Sequence, residues 1–280
     1  MSPPTSPNRF EQGTKVLLGQ ASPPPSVSSP ESNFPANVSP TTPPIQSFTS
    51  GPSRVVLSGG TSPLPTFDSA LLSATQLANS NQFRQALVEL SPHVNDTALA
   101  TADRDTLMVW LDALAAKVIY STEHHVEPIP YIVQADDTLE TIARQWNVPQ
   151  QLIFNINREK IPDLAKLQPG SELKKVTGPF RAEMDCRNHM VTLFTGDLYA
   201  GRFPMIGKAV DVPNGGTFQI TQKFAQGNSQ GEFWIGTSNS ALSLHAQQPG
   251  GSQFGCEFSV ADARDLFSIL NVGSEIKILR

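Results

Sequence analysis

Apolar residues recur at helical spacing from Phe67 onward, and this spacing predicts a small helical region over residues 66–125. The first two helices are short and amphipathic, with a turn at residues 79–81; their apolar positions are Leu72, Leu77, Phe83, Leu87 and Leu90. A third helix is expected to begin at a cap on Asp103 and to carry Leu107, Trp110, Leu111, Leu114 and Val118 along one side. The expected role of this region is a spacer or a docking platform.

The pattern changes over residues 129–177, where two short polar-apolar segments flank two helical ones. A strand over 131–133 precedes Asp136 and Asp137, which can cap a helix over 138–146. Pro149 is a favourable residue at the start of a second helix, whose Leu152, Ile153 and Ile156 would face inward. Pro169 and Gly170 then turn the chain into the strand "ELKKV". The segment is therefore predicted to be a compact strand–helix–helix–strand domain.

From residue 178 to residue 280, apolar positions alternate with a period of two. Strands are expected over 180–184, 190–194 and 198–206, with turns at 185–188 and 195–197. The stretches "GGTFQITQKF" and "EFWIGTS" add further strands, and "VADARDLFSILNVGSEIKIL" predicts a helix, a glycine turn and a final strand. A mainly antiparallel sheet or barrel with one late helix follows, and the whole chain is predicted to be a multidomain α+β protein.

Composition sets residues 1–65 apart from the rest of the 280-residue chain. They contain 14 of its 24 prolines, interleaved with Ser, Thr and Asn. Such a segment has too little apolar surface to offset the entropy lost on ordering its backbone. It is predicted to be a disordered or extended Pro/Ser-rich linker.

Charge and residue usage exclude several functions and imply no metal or organic cofactor. The net charge is -5 and no basic stripe occurs, which disfavours a nucleic-acid partner. No run of 18 apolar residues predicts a membrane segment, and no secretory signal is visible at the N-terminus. Cys186 and Cys256 leave one bridge or two thiols open. The adjacent His124 and His125 would point about 100° apart on a helix, too far for joint chelation.

The segment from Tyr131 to Val176 resembles the LysM module, through the pattern "Y.V...DTL..IA....V....I...N" followed by "L.PG..LK". The resemblance implies a shallow groove that binds N-acetylglucosamine chains of peptidoglycan or chitin. It would place Asp137, Thr138 and Leu139 on one side of the groove and Ile153, Asn155, Ile156 and Asn157 on the other. For Ile153 and Ile156, a place in the domain core is the alternative.

Residues 178–280 resemble the catalytic domain of L,D-transpeptidases, through "VTLFTGDLYAGRFP", "LHAQQPGGSQFGC" and "DARDLFSIL". The resemblance implies that the Cys256 thiolate is the nucleophile and that His245 is the general base. The backbone NH groups of Gly255 and Cys256 would stabilise the oxyanion, and Ser252 with Gln253 would orient the substrate. The implied partners are peptidoglycan glycan strands and stem peptides, and the implied location is the periplasm or cell envelope. The implied reaction cleaves the amide between diaminopimelate and D-alanine and transfers the acyl group to an amine.

Three positions depart from the family signature. Ala246 stands where the family has glycine, Phe254 replaces a second histidine, and Phe258 replaces an arginine or asparagine. An alternative is therefore a catalytically inactive, peptidoglycan-binding envelope protein with a degenerate transpeptidase fold. A cytosolic thiol hydrolase is a third possibility, which depends only on the missing signal sequence.

Overall fold

A computed structural model describes residues 66–123, 126, 129–161, 167–206, 216–226, 232–247 and 255–279. The linker predicted over residues 1–65 and the pair His124 and His125 lie outside the described residues. All described residues belong to one compact unit. The division at residues 125–129 and 177–178 stays a prediction.

The helical region contains the three predicted helices: α1 (Phe67–Asn79), α2 (Phe83–Leu90) and α3 (Thr101–Ala115). A 3₁₀ helix (Ser91–Asn95) follows α2, and a π-helical turn (Ala116–Tyr120) extends α3. The prediction that Asp103 caps α3 was wrong, because the helix begins two residues earlier, with Ala100 at the cap position. Asp103 lies instead in the first helical turn, where a negative charge interacts favourably with the helix dipole.

The next segment has the predicted strand–helix–helix–strand order: β1 (Tyr131–Ile132), α4 (Leu139–Trp146), α5 (Gln150–Ile156) and β2 (Glu172–Leu173). The two strands pair antiparallel, with Tyr131 opposite Leu173. Thr138, rather than Asp136 or Asp137, caps α4. Its hydroxyl accepts a hydrogen bond from Thr141 N, and Thr141 Oγ1 accepts one from Thr138 N. This reciprocal pair is a capping box, which satisfies two backbone donors at the helix start.

Eight strands form one curled sheet in the last hundred residues, in the order β5-β4-β3-β10-β6-β7-β8-β9. Their bounds are β3 (Phe180–Asp185), β4 (Met190–Thr195), β5 (Leu198–Pro204), β6 (Thr217–Gln226), β7 (Glu232–Thr237), β8 (Ser243–Ala246), β9 (Cys256–Phe258) and β10 (Glu275–Leu279). The β3–β10 and β8–β9 pairs are parallel, and the others are antiparallel. A bridge between Ile206 and Glu257 links the two ends of the sheet, with Ile206 N donating to Glu257 O at 2.7 Å. The predicted mixed α+β fold with a mainly antiparallel sheet is confirmed.

One face of this sheet forms the core, as the period-two alternation requires. Ala182, Met184, Leu193, Ile235 and Ile276 are all buried on it. Helix α6 (Val260–Ile269) packs against β7, β8 and β9. The sequence placed this helix and the glycine turn after it correctly.

The helical region packs directly against the edge strand β5. Tyr120 Oη donates to Ala200 O at 2.6 Å, and Ser91 Oγ accepts from Tyr199 N at 3.0 Å. Both bonds are buried, so this region is a layer of the folded unit and covers a strand edge that would otherwise be open to pairing. Within the described ranges, no helix combines the length and apolarity that crossing a membrane requires.

Candidate functional site

The first loop of the proposed glycan groove is held by its own side chains. Asp137 Oδ2 accepts hydrogen bonds from Tyr131 Oη and from Gln134 N, each at 2.7 Å. The bond from Tyr131, assisted by burial, raises the pKa of this phenol. Thr138 is exposed beside Asp137, while Leu139 is buried beneath them. Two of the three predicted residues of this loop are therefore accessible to a ligand, one fully and one in part.

The second side of the proposed groove contains mostly buried residues. Ile153 and Ile156 have no exposed surface. Asn157 is also buried, where Oδ1 accepts from Lys174 N at 2.6 Å and Nδ2 donates to Lys174 O and Ile153 O. Asn157 therefore ties the end of α5 to the residue after β2. Asn155 is half-buried and accepts one bond from Gln151 Nε2 at 2.9 Å, so it is the predicted residue on this side that a glycan can reach.

The predicted catalytic residues lie on neighbouring strands but on opposite faces of the sheet. His245 lies in β8 and Cys256 begins β9, and the register pairs Leu244 with Cys256 and His245 with Glu257. Paired residues share a face and successive residues alternate, so Cys256 shares a face with Leu244 and His245 lies on the other. The structure brings their backbones together and directs their side chains apart.

Cys256 faces the core and His245 faces away from it. The thiol is 1% exposed, and its Sγ lies 3.6 Å from Met184 Sδ in β3. Phe258, one of the three departures from the family signature, is fully buried on the same face as Cys256. The surroundings of the thiol within the described residues are therefore largely apolar.

The imidazole of His245 is also buried, with 4% of its surface exposed. Its Nδ1 lies 3.0 Å from Ala246 O. A carbonyl oxygen can only accept a hydrogen bond, so this contact assigns the proton to Nδ1. The ring therefore donates through Nδ1 on the outer face of β8.

Gly255 has a structural reason to be glycine. Its φ is +87°, and a Cβ at this position would collide with Ser243 Oγ and lie 3.0 Å from His245 Cδ2. The residue before Cys256 must therefore lack a side chain so that β9 can pack beside β8. Ser252, Gln253 and Phe254 lie outside the described residues.

The two cysteines are not joined by a disulfide. Cys186 lies in the turn after β3, and only 9% of it is exposed. Its backbone NH donates to Leu279 O at 3.1 Å. This bond extends the β3–β10 pairing into the turn, where Cys186 is buried. No group of three or more His, Cys, Asp or Glu side chains suited to a metal ion occurs in the part of the chain that the structure describes.

Sequence comparison identifies one domain of the chain. Residues 131–174 match the model of the LysM domain. No curated protein matches the sequence. The segment that contains the capping box at Thr138 and the hydrogen bonds between Asn157 and Lys174 is thus a LysM domain, as the sequence predicted.

Solved structures that match part of this chain include L,D-transpeptidases. L,D-transpeptidase 1 of Mycobacterium tuberculosis matches with a TM-score of 0.30 and 12% identity, over 39% of this chain and 69% of that one. An L,D-transpeptidase from Mycobacterium smegmatis matches with a TM-score of 0.30 and 15% identity, over 40% and 64%. A fused zinc-dependent amidase, peptidase and peptidoglycan-binding domain protein from Clostridium acetobutylicum gives 0.29 and 17%, over 35% and 51%. The chain therefore spans between about half and two thirds of these structures.

The chain thus combines a LysM domain with a curled, mainly antiparallel C-terminal sheet. Sequence reasoning missed two features of this architecture. Asp112 of α3 binds Tyr199 and Arg202 of β5, and Lys174 extends from the LysM domain into the end of the helical region. Neither contact has a local sequence signal, because each joins residues more than fifty positions apart.

Proposed function

We propose that this chain is a cell-wall protein whose LysM domain binds the N-acetylglucosamine-containing glycan strands of peptidoglycan. The single observation that carries the proposal is the LysM match over residues 131–174. Such glycans lie outside the cytoplasmic membrane, so the proposed place of action is the periplasm or cell envelope. The proposal does not depend on any activity of the C-terminal domain.

The exposed side chains of the two loops would make the polar contacts with the sugar. Asp137, Thr138 and Asn155 present a carboxylate, a hydroxyl and an amide, groups that can bond acetamido and hydroxyl substituents. The buried Leu139, Ile153, Ile156 and Asn157 would support the loops from beneath. Asn155 is the most useful residue to test, because its one described side-chain bond is to Gln151 on the surface of α5.

The test is a titration of the full chain with a chitin oligosaccharide, together with co-sedimentation on insoluble peptidoglycan. We expect Asn155→Ala to weaken binding by about tenfold, the usual effect of losing one or two ligand hydrogen bonds. Arg144→Gln is the matched control, because Arg144 is an exposed residue of α4 whose described side-chain partner is Glu140. A chain that binds neither ligand would refute the proposal, and equal binding by all three proteins would refute the contact assigned to Asn155.

For the C-terminal domain, we propose that it does not perform thiol chemistry in this conformation and instead helps to position the LysM domain on the wall. The register that directs Cys256 and His245 to opposite faces favours this alternative. A base that accepts the thiol proton has to lie within hydrogen-bond reach of the sulfur.

A second candidate function is the L,D-transpeptidase reaction, which is favoured by the order His245, Gly255, Cys256 on two adjacent strands. In this reaction the Cys256 thiolate attacks the amide carbon between diaminopimelate and D-alanine. His245 takes the thiol proton and returns it to the departing D-alanine amine, leaving a thioester. An amine of a neighbouring stem then attacks the thioester and regenerates the thiol. Gly255 NH and Cys256 NH would stabilise the oxyanion and Ser252 would orient the stem.

Intact-protein mass spectrometry separates the two proposals for this domain. The full chain is incubated with a tetrapeptide stem or a carbapenem, beside Cys256→Ala and His245→Ala. We expect no adduct and no released D-alanine from any of the three proteins. An adduct that disappears in Cys256→Ala would establish the enzyme, and would require the strands or loops around Cys256 to rearrange.

A further inference from the structure

A cleft lies between the helical region and the outer face of the curled sheet. Its volume is about 720 Å³, within the range of small-molecule sites in proteins. The sheet side comes from β3, β4, β5 and β10, and the helical side comes from the 3₁₀ helix and α3. It is lined by the face of these strands that is opposite to the core.

The register places one row of polar residues across the cleft floor: Lys277, Glu183, Thr192 and Arg202 on β10, β3, β4 and β5. Two of these charges already have partners. Glu183 accepts from Arg181 at 2.7 Å and from Asn95 Nδ2 at 3.0 Å. Arg202 Nε donates to Asp112 at 3.0 Å. The bonds from Asn95 to Glu183 and from Arg202 to Asp112 join the helical wall to the floor.

Four other lining residues are charged. Lys277 and Asp105 are exposed, and Arg104 and Asp185 are half-buried. In the described part of the chain, none of the four belongs to an ion pair. Arg104 donates to the carbonyl of Asp96, and the Asp185 carboxylate accepts bonds from the turn after β3. The cleft therefore has two unpaired positive and two unpaired negative groups.

Both walls carry a positive and a negative group, but the two exposed ones, Lys277 and Asp105, lie on opposite walls. Lys277 belongs to the sheet floor, whereas Asp105 belongs to α3 on the helical wall. Met108 and Met190 line the same cleft and offer flexible apolar surface. A ligand that suits this lining carries a negative group, a positive group and an apolar body between them.

We propose that the cleft binds a zwitterionic ligand, an amino acid or short peptide with both termini free. Lys277 binds its carboxylate and Asp105 binds its ammonium group. The apolar body of the ligand packs on the two methionines. A charge-assisted bond at each end is stronger than a neutral one, so both ends contribute to recognition.

Isothermal titration of the full chain tests this site with four ligands: the tripeptide Ala-Leu-Ala, its N-acetyl form, its C-terminal amide, and the form blocked at both ends. We expect the free tripeptide to bind, each single block to weaken binding by about tenfold, and the double block to weaken it further. No glycan takes part, so the outcome is independent of the LysM proposal.

Two variants test which residue binds each end of the ligand. Lys277→Gln should bind the free tripeptide and its amide equally, while it still prefers a free amine. Asp105→Asn should bind the free and N-acetyl forms equally, while it still prefers a free carboxylate. Lys160→Gln, at an exposed lysine of the LysM segment outside the cleft, should behave as the unmodified chain. Circular dichroism verifies that each variant is folded.

Several outcomes would overturn the proposal. The absence of binding at millimolar tripeptide would do so, as would binding that is insensitive to both variants. Sensitivity to one terminal block alone would replace the zwitterionic ligand with a singly charged one. An equal loss in Lys160→Gln would show that the effect is one of net charge and not of this cleft.

Discussion

His93 is a buried residue whose ring nitrogens lack hydrogen-bond partners in the part of the chain that the structure describes. It lies in the 3₁₀ helix with 2% of its surface exposed, and neither Nδ1 nor Nε2 has a hydrogen-bond partner among the described residues. Its ring meets the edge of Phe67, with centroids 6.0 Å apart. Burying an unpaired polar group costs free energy that an apolar side chain of similar size would not.

We therefore expect His93→Leu to raise the free energy of unfolding by about 1 kcal/mol, measured by urea denaturation. His93→Gln keeps a polar group at the same place and should give no gain. A loss of stability in His93→Leu would mean that the imidazole makes a favourable interaction in solution.

At the scale of elements, the attachment of α3 to β5 determines how the helical region lies on the sheet. Asp112 accepts bonds from Tyr199 Oη and Arg202 Nε, and Ser91 reaches the backbone of the same strand. Strand β5 would otherwise present a free edge over most of its length. The carboxylate of Asp112 is about one third exposed, so the stabilisation is that of a partly solvated pair.

Asp112→Ala should speed hydrogen exchange of the β5 amides and lower the unfolding free energy by about 1 kcal/mol. The reason is that two donors on β5 lose their shared acceptor. The matched control is Asp105→Ala, which removes a carboxylate from the same helix without a described ion pair. If both variants accelerate exchange equally, the effect comes from the helix and not from its contact with β5.

At the scale of elements, local sequence patterns were sufficient to predict which neighbouring strands pair. Period-two alternation with Gly196 in a tight turn predicted the β4–β5 hairpin, because hairpin pairing joins neighbours in the chain. The parallel β8–β9 and β3–β10 pairs were not predicted, since their register depends on residues distant in sequence or on the path of a loop. The orientation of His245 relative to Cys256 follows from that register, so residue types and order alone did not reveal it.

For the whole molecule, Lys174 links the LysM domain to the helical region. The residue is 1% exposed, and its ammonium group donates to Val118 O at 2.8 Å and to Ser121 O at 2.6 Å. Burial lowers the pKa of Lys174 to about 7, with a smaller opposing effect from Glu123 and a further lowering by Lys117. Burial also lowers the pKa of Lys223, a residue of β6 whose ammonium group donates to Phe267 O and Leu270 O near the end of α6, to about 8.

These pKa values predict how stability depends on pH. Between the folded pKa and the unfolded value of 10.5, the unfolded chain binds more protons than the folded one. Stability should therefore rise with pH across this window, and the contribution is lost as pH falls toward 7. The slope from each lysine approaches about 1.4 kcal/mol per pH unit.

Lys174→Met should flatten this slope when unfolding free energies are compared between pH 7.5 and 9.5. This range lies below the pKa of Tyr131, which is raised above 10.0. The slope that remains should come from Lys223 and should appear only in the upper part of this pH range, above the Lys223 pKa of about 8. Lys175→Met, at the neighbouring and less buried lysine, is the control and should leave the slope unchanged; an equal flattening there would contradict the assignment.

The sequence by itself determined the order and type of the elements and the identity of the LysM domain. Helical spacing, strand alternation and turn residues are local signals, and the LysM pattern extends over a single short segment. The tertiary structure decided which residues contact each other. Lys174 contacts the end of the helical region, Asp112 contacts β5, and a row of polar residues from four strands lies along the floor of the cleft. These contacts join segments far apart in the chain, where burial and strand register, rather than local preference, set the geometry. For the same reason only the fold could show that His245 and Cys256, which the sequence resemblance pairs as base and nucleophile, face opposite sides of the sheet.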